Sequence, residues 1–140
     1  MEITANALQT VEANQNVIFT DTVVCGNCSI LHRGGSGLVT LRGITKGQCR
    51  ARFKVTFGGN IAIPTGGTVE AISVAIAING EAVNSTTMIV TPAAVEEYFN
   101  VASSVYLNVP AGCCSTIGVR NISGVAIDVQ NANLIAERVA

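Results

Sequence analysis

Short apolar runs, separated by glycine, asparagine, serine and proline, recur along the whole chain. The clearest alternation covers residues 49–57, where Arg50, Arg52, Lys54 and Thr56 interleave with Cys, Ala, Phe and Val. A period of two is that of a strand with one buried face and one wet face. A second alternating run covers residues 68–78 and predicts another strand.

A β-hairpin is predicted at Asn79-Gly80. These two residues directly follow the run over 68–78, and Ala82 begins a return run toward residues 88–90. Asn-Gly between two apolar runs is the strongest short hairpin signal, because a type I′ turn needs a positive φ at both central positions.

The other apolar runs also have strand length. They cover residues 17–24, 38–41, 98–109, 115–121, 125–129 and 132–139, with breaks at 34–37, 58–60, 64–67, 110–112 and 123–124. The one plausible helical turn, Pro92 to Glu97 with Thr91 as its N-cap, is too short to be an architectural helix and is interpreted as a connection. Strands at this spacing predict an all-β sandwich, barrel or jelly roll.

Composition narrows the function classes. The 140 residues suit a single domain, 1–140, in which residues 1–15 are expected to form an N-terminal arm or an edge strand. Hydrophobic residues make up 49% and charged residues 12%, which excludes intrinsic disorder. The net charge is −1, so the chain has no excess of basic residues that would attract nucleic acid or an anionic membrane. So little charge favours self-association.

No targeting signal is recognised. The start of the chain lacks the basic and apolar regions of a signal peptide. No apolar run approaches the roughly 18 residues that a membrane span requires. We therefore expect the chain to be made and kept in a cytoplasm, or to leave it by another route.

Five cysteines, Cys25, Cys28, Cys49, Cys113 and Cys114, leave several interpretations open. Cys25 and Cys28 have the C-x-x-C spacing of zinc and redox sites, but no helix follows them and no second well-spaced pair exists. Small buried or turn-lining hydrophobic residues are the favoured interpretation. Metal or redox chemistry and disulfides within or between chains are the alternatives.

Catalytic constellations are sparse. His32 is the only histidine, and the two aspartates, Asp21 and Asp128, are far apart in the sequence. Glu96 and Glu97 are adjacent and are interpreted as a solvated turn. We predict no enzyme activity, no catalytic residue, no metal site and no cofactor.

The order of the strands resembles a known superfamily. The resemblance is carried by residues 17–20, 73–83, 105–112, 116–121 and 132–139, and it covers the chain from about Asn16 onward. This pattern is similar to the trimeric jelly rolls of the tumour-necrosis-factor and complement globular-head superfamily. It is most like the bacterial and phage branch, which includes the C-terminal domains of collagen-like spore-surface proteins. The sequence also resembles small structural proteins of phages and prophages from gut Firmicutes.

The resemblance implies a jelly-roll β-sandwich of about eight to ten antiparallel strands that forms homotrimers. In that family, side chains of the inner sheet line the threefold axis, which suggests Tyr98, Phe99 and Tyr106 as interface residues. Two features depart from the family pattern: Cys113-Cys114 replaces the frequent polar or acidic residue, and a collagen-like stalk is missing.

The expected function is therefore structural. We expect a virion component, such as a capsid decoration, head-fibre or tail-tip protein, that assembles in the host bacterial cytoplasm. Its partners would be its own copies and other virion proteins such as the major capsid protein. The alternatives are a receptor- or glycan-binding module of a phage fibre or bacterial surface protein and, third, a cysteine-based metal or redox protein.

Overall fold

Two antiparallel sheets form the sandwich in the computed structural model, which describes residues 1–26 and 28–140. The remaining position, Asn27, leaves the middle of the C-x-x-C motif outside the described residues. The first sheet has the order β10-β6-β12-β1-β3, and β2 also pairs with β12. Its strands are β1 (Glu2–Ala5), β2 (Gln9–Val11), β3 (Asp21–Val24), β6 (Arg50–Ala62), β10 (Phe99–Pro110) and β12 (Ile127–Arg138).

The second sheet has the order β4-β5-β11-β7-β8, and β9 also pairs with β7. Its strands are β4 (Ile30–His32), β5 (Val39–Arg42), β7 (Ile72–Ile78), β8 (Glu81–Ala82), β9 (Met88–Val90) and β11 (Cys114–Asn121). A single 3₁₀ turn, Asn84–Thr86, separates β8 from β9, and the described residues include no α-helix. The all-β jelly-roll expectation is thus confirmed. The twelve strands exceed the expected number because several have only two or three residues.

The core lies between the sheets and takes alternate residues from each long strand. Phe19, Phe53 and Phe57 are its largest side chains and are fully buried. Burying a side chain of this size contributes about 1.5–3 kcal/mol. The alternation over 49–57 therefore identified correctly which face of β6 is buried.

The hairpin at Asn79-Gly80 is present as predicted. Asn79 has φ 52° and Gly80 has φ 83°, as a type I′ turn requires. The Asn79 side-chain oxygen accepts a hydrogen bond from the Thr116 amide at 2.9 Å, and the Gly80 carbonyl accepts one from Arg120 at 2.8 Å. The turn is thereby attached to β11.

A predicted break at residues 58–60 is wrong, because β6 continues through them to Ala62. Gly58 pairs with β10 on one side and β12 on the other, and Gly59 pairs with β10, so backbone hydrogen bonds hold both residues in the strand. Opposite them, β12 has an irregularity between Gln130 and Asn133. A Cβ on Gly59 would lie 3.1 Å from the Cζ atom of the buried Phe57 ring, so glycine leaves room for this ring in the core.

Other segments also differ from the expectation. The runs over 125–129 and 132–139 form one strand, β12, rather than two. Residues 1–15 supply β1 and β2: β1 lies between β12 and β3 because it pairs with both, whereas β2 pairs with β12 alone. Residues 92–97 form bends and a turn without a helix, in agreement with the predicted connection. No helix among the described residues is long and apolar enough to span a membrane.

Candidate interaction surfaces

The outer face of the first sheet is the side of β10, β6, β12 and β1 that points away from the core. Its side chains form rows across the strands. One row is Tyr106, Lys54 and Glu137; the next is Ser104, Thr56 and Ile135; a third is Ala102, Gly58 and Asn133. On β10, β6 and β12 the second and third rows carry no charge and mostly small side chains. Because these side chains are short, a second protein can approach this part of the sheet closely. On β1 these rows continue to Glu2, opposite Ile135, and to Thr4, opposite Asn133. The Glu2 carboxylate accepts a hydrogen bond from the Asn133 side-chain amide.

Tyr106 stands at the charged margin of this face. It is 62% exposed, and the Lys54 ammonium lies 5.8 Å from the centre of its ring. At that distance the cation is attracted to the ring face. A large aromatic side chain so exposed is available for contact with a partner.

The three suggested interface residues do not form one surface. Phe99 begins β10 on the core-facing side, with the buried Val101 two residues along, whereas Tyr106 points outward. Tyr98 precedes the strand. The suggestion that all three share an interface is therefore corrected, because residues an odd number apart on a strand point to opposite faces.

Tyr98 lies in an acidic setting of its own. Burial raises the pKa of its phenol above 10.0, and the nearby carboxylates of Asp128 and Glu96 raise it further. Each effect disfavours the phenolate. Tyr98 is therefore an uncharged phenol at neutral pH.

All five cysteines lie at one end of the sandwich, here called the cysteine end. The Gly43 amide donates to the Cys113 carbonyl at 2.8 Å, and the Ala111 amide donates to the Cys49 carbonyl at 2.9 Å. Cys114 pairs with Arg42, whose guanidinium donates to the Cys28 carbonyl at 3.3 Å. Cys25 directly follows β3 and precedes Gly26, which packs on Ile30 at the same end.

The cysteines are free and all are exposed. The part of their interpretation that had them buried is wrong, although Cys113 and Cys114 do line the turn between β10 and β11. Cysteine is normally among the most buried residue types, so five exposed thiols at one end are unusual. Sequence spacing alone missed this surface, because three separate loops bring the cysteines together.

Both ring nitrogens of His32 contact polar groups of neighbouring segments. Its Nδ1 lies 3.3 Å from the Thr22 hydroxyl, and its Nε2 lies 3.1 Å from the Ser36 carbonyl. Both ring nitrogens thus have a polar partner other than a thiol. Within residues 1–26 and 28–140, no three histidine, cysteine or acidic side chains converge as metal ligands would.

Comparisons with known proteins support the fold. The structure is similar to the globular domain of zebrafish complement 1qA protein, with 9% identity, a TM-score of 0.54, and coverage of 96% of this chain and 93% of that one. It also matches a sugar-binding EclA C-terminal domain at 16% identity and a TM-score of 0.41, covering 95% of this chain and 80% of that one. A family 35 carbohydrate-binding module from an environmental isolate matches at 13% identity and a TM-score of 0.42, covering 100% of this chain and 98% of that one.

At the level of sequence, no family model matches the chain, and no curated protein matches it significantly. The similarity to the complement domain spans nearly the full length of both chains at an identity that conveys architecture alone. The protein thus belongs to the jelly-roll β-sandwich class.

Proposed function

We propose that the chain is a non-catalytic structural module that forms homotrimers through the outer face of its first sheet. The proposal is supported by the jelly-roll fold shared with the complement globular domain and by the resemblance of the sequence to trimeric members of that superfamily. The single observation that carries it is the uncharged strip of small side chains on this face, formed by Ser104 and Ala102 of β10 with Thr56 and Gly58 of β6. An obligate interface favours such a surface, because the centre of an interface is depleted of charge.

Light scattering after size-exclusion chromatography tests the trimer. The wild-type protein at micromolar concentration should have three times the chain mass of 14.4 kDa. Ile135 on β12 is 37% exposed on the proposed interface, and Ile89 on β9 is 65% exposed on the second sheet. Ile135→Glu should yield monomers, since it would bury a second negative charge directly opposite Glu2, whereas Ile89→Glu should remain trimeric. A monomeric wild type, or equal behaviour of the two variants, would refute the proposed interface.

The module's proposed place is a phage virion, as a capsid decoration, head-fibre or tail-tip protein assembled in the host bacterial cytoplasm. This part rests on the resemblance to small phage structural proteins, and its proposed partners are other virion proteins such as the major capsid protein. Mass spectrometry of particles purified from an induced culture of a bacterium that encodes the chain should detect it in stoichiometric amounts. Particles that lack it would contradict the virion role.

A receptor- or glycan-binding module is the second candidate, and the exposed ring of Tyr106 is the observation that favours it. Aromatic rings offer an apolar face with a polar edge, on which a sugar can stack. A glycan array should then show binding by the wild type that Tyr106→Ala abolishes and Ile89→Ala preserves. No binding to any glycan, by a protein that is trimeric in solution, would leave the structural module as the function.

A further inference from the structure

A cleft of about 440 Å³ opens at the cysteine end, between the start of β6 and the end of β10. It is lined by Gln48, Cys49, Arg50, Arg52, Asn108 and Ala140. Arg52 donates from Nε to the Asn108 side-chain oxygen at 3.3 Å, and this bond orients its guanidinium. The cleft therefore combines two cations, an amide and an exposed thiol.

The cations of the cleft are not neutralised. Among the described residues neither Arg50 nor Arg52 forms an ion pair. Lys46 in the preceding loop and Arg138 at the end of β12 add positive charge to the same end. Glu137 on the neighbouring strand β12 lies opposite Lys54 and not opposite either arginine. The Ala140 oxygen in the cleft accepts hydrogen bonds from the Arg138 Nε at 3.1 Å and from the Arg52 amide at 3.3 Å, and neither arginine of the cleft directs its side chain to it. The potential in the cleft is thus positive and attracts anions.

The shape of the cationic groups narrows the class of anion. A guanidinium group presents a planar fork of N–H donors that matches a carboxylate in a bidentate arrangement. Two guanidinium groups, those of Arg50 and Arg52, in one cleft with the Cys49 thiol suit a small molecule that carries both carboxylates and sulfur. A second copy of the cysteine end fits poorly, because two positively charged ends repel each other.

We propose that this cleft binds low-molecular-weight thiols and disulfides that carry carboxylates, and that Cys49 exchanges with the disulfide. The Cys49 thiol loses its proton, and its sulfur attacks one sulfur of the bound disulfide. The S–S bond of the small molecule breaks as the Cys49 mixed disulfide forms. The released thiolate takes up a proton, so the bound disulfide is the oxidant and no other is required.

The charge dependence of the exchange rate tests the proposal. The probes are oxidised glutathione, which is anionic, and 2-hydroxyethyl disulfide, which is neutral. Two single-cysteine chains are compared, with the other four cysteines changed to Ser: one keeps Cys49 and the other keeps Cys25, which is exposed but outside the cleft. Intact-mass spectrometry follows formation of the mixed disulfide, and circular dichroism confirms that each chain is folded.

The ratio of the anionic to the neutral rate should be about tenfold higher for Cys49 than for Cys25, because a positive cleft concentrates the anion. Arg50→Gln with Arg52→Gln, or high salt, should remove this advantage. Equal ratios for the two cysteines, or a ratio that the arginine variants leave unchanged, would overturn the proposal. Predominant formation of Cys49–Cys49 dimers would also overturn it and would assign the end to a second copy.

An NMR titration of a chain that lacks the Cys49 thiol tests ligand binding separately from thiol–disulfide exchange. In the Cys49→Ser chain, S-methylglutathione should shift the amide NMR signals of residues 48–52 and Asn108, and Arg52→Gln should weaken the shifts. Absence of shifts at millimolar ligand would refute the binding site.

Discussion

Gly80 offers a test of the hairpin in which backbone strain is separated from steric clash. Its φ is 83°, yet a Cβ built on it would meet nothing within 4 Å. The left-handed region costs a residue with a side chain about 1–2 kcal/mol. Replacing glycine also restricts the unfolded chain, which returns about 0.4–1 kcal/mol. Gly80→Ala should therefore lower the free energy of unfolding by about 1 kcal/mol through backbone strain alone. A β-branched residue fits this region still less well, so Gly80→Val should cost more.

Two other glycines serve as matched controls. Gly124 also has open space around its Cβ position, but its φ lies outside the left-handed region. Gly124→Ala should thus be neutral or stabilising, by up to about 1 kcal/mol. Gly43 has no positive φ, but its Cβ would lie 2.1 Å from the Pro110 carbonyl oxygen. Gly43→Ala should destabilise by about 1–3 kcal/mol or more through overpacking.

Urea unfolding of the wild type and the three alanine variants, at one protein concentration, gives the comparison. The concentration must be matched because association shifts apparent stability. The expected order of stability places Gly124→Ala highest and Gly43→Ala lowest, with Gly80→Ala between the wild type and Gly43→Ala. If Gly80→Ala were as stable as Gly124→Ala, the type I′ turn at Asn79-Gly80 would be wrong.

Three further predictions concern a buried amide, a phenol and the thiols. Asn121 is fully buried and bonds to the carbonyls of Val11 and Val125 and to the amide of Ser123. Asn121→Ala should therefore lower the free energy of unfolding in urea by about 3 kcal/mol, whereas Asn100→Ala, at an exposed position, should lower it by less than about 0.5 kcal/mol. Equal losses for the two variants would show that the buried hydrogen bonds of Asn121 do not stabilise the fold. In Tyr106→Phe, absorbance at 295 nm should show Tyr98 ionising above pH 10.0. Because folding raises the pKa of Tyr98, the protonated phenol should contribute its full share to the free energy of unfolding below pH 10. That contribution should be lost as the pH rises through the raised pKa, and a titration midpoint for Tyr98 at or below pH 10 would refute this prediction. Changing Cys25 and Cys28 to Ser should leave the melting temperature within about 2 °C, since exposed substitutions change little; stoichiometric zinc that this variant loses would show a metal site instead.

Local pattern was sufficient for much of the fold. The alternation over 49–57 identifies the buried face of β6, since the two faces of a strand follow directly from residue order. Asn79-Gly80 identifies the hairpin because its backbone conformation depends on those two residues alone. The same period of two already separates Phe99 from Tyr106, so this part of the interface suggestion could have been corrected from the sequence.

Tertiary structure decided what depends on partners distant in sequence. Gly58 and Gly59 form strand rather than a break because β10 pairs with both of them and β12 pairs with Gly58 from the other side, and no local pattern contains that information. The cysteine end, with the cleft at Cys49, exists because the antiparallel sandwich brings three loops to one end. Residue order determines which side of a strand a side chain occupies, whereas only the pairing of the strands determines which side chains become neighbours across the molecule.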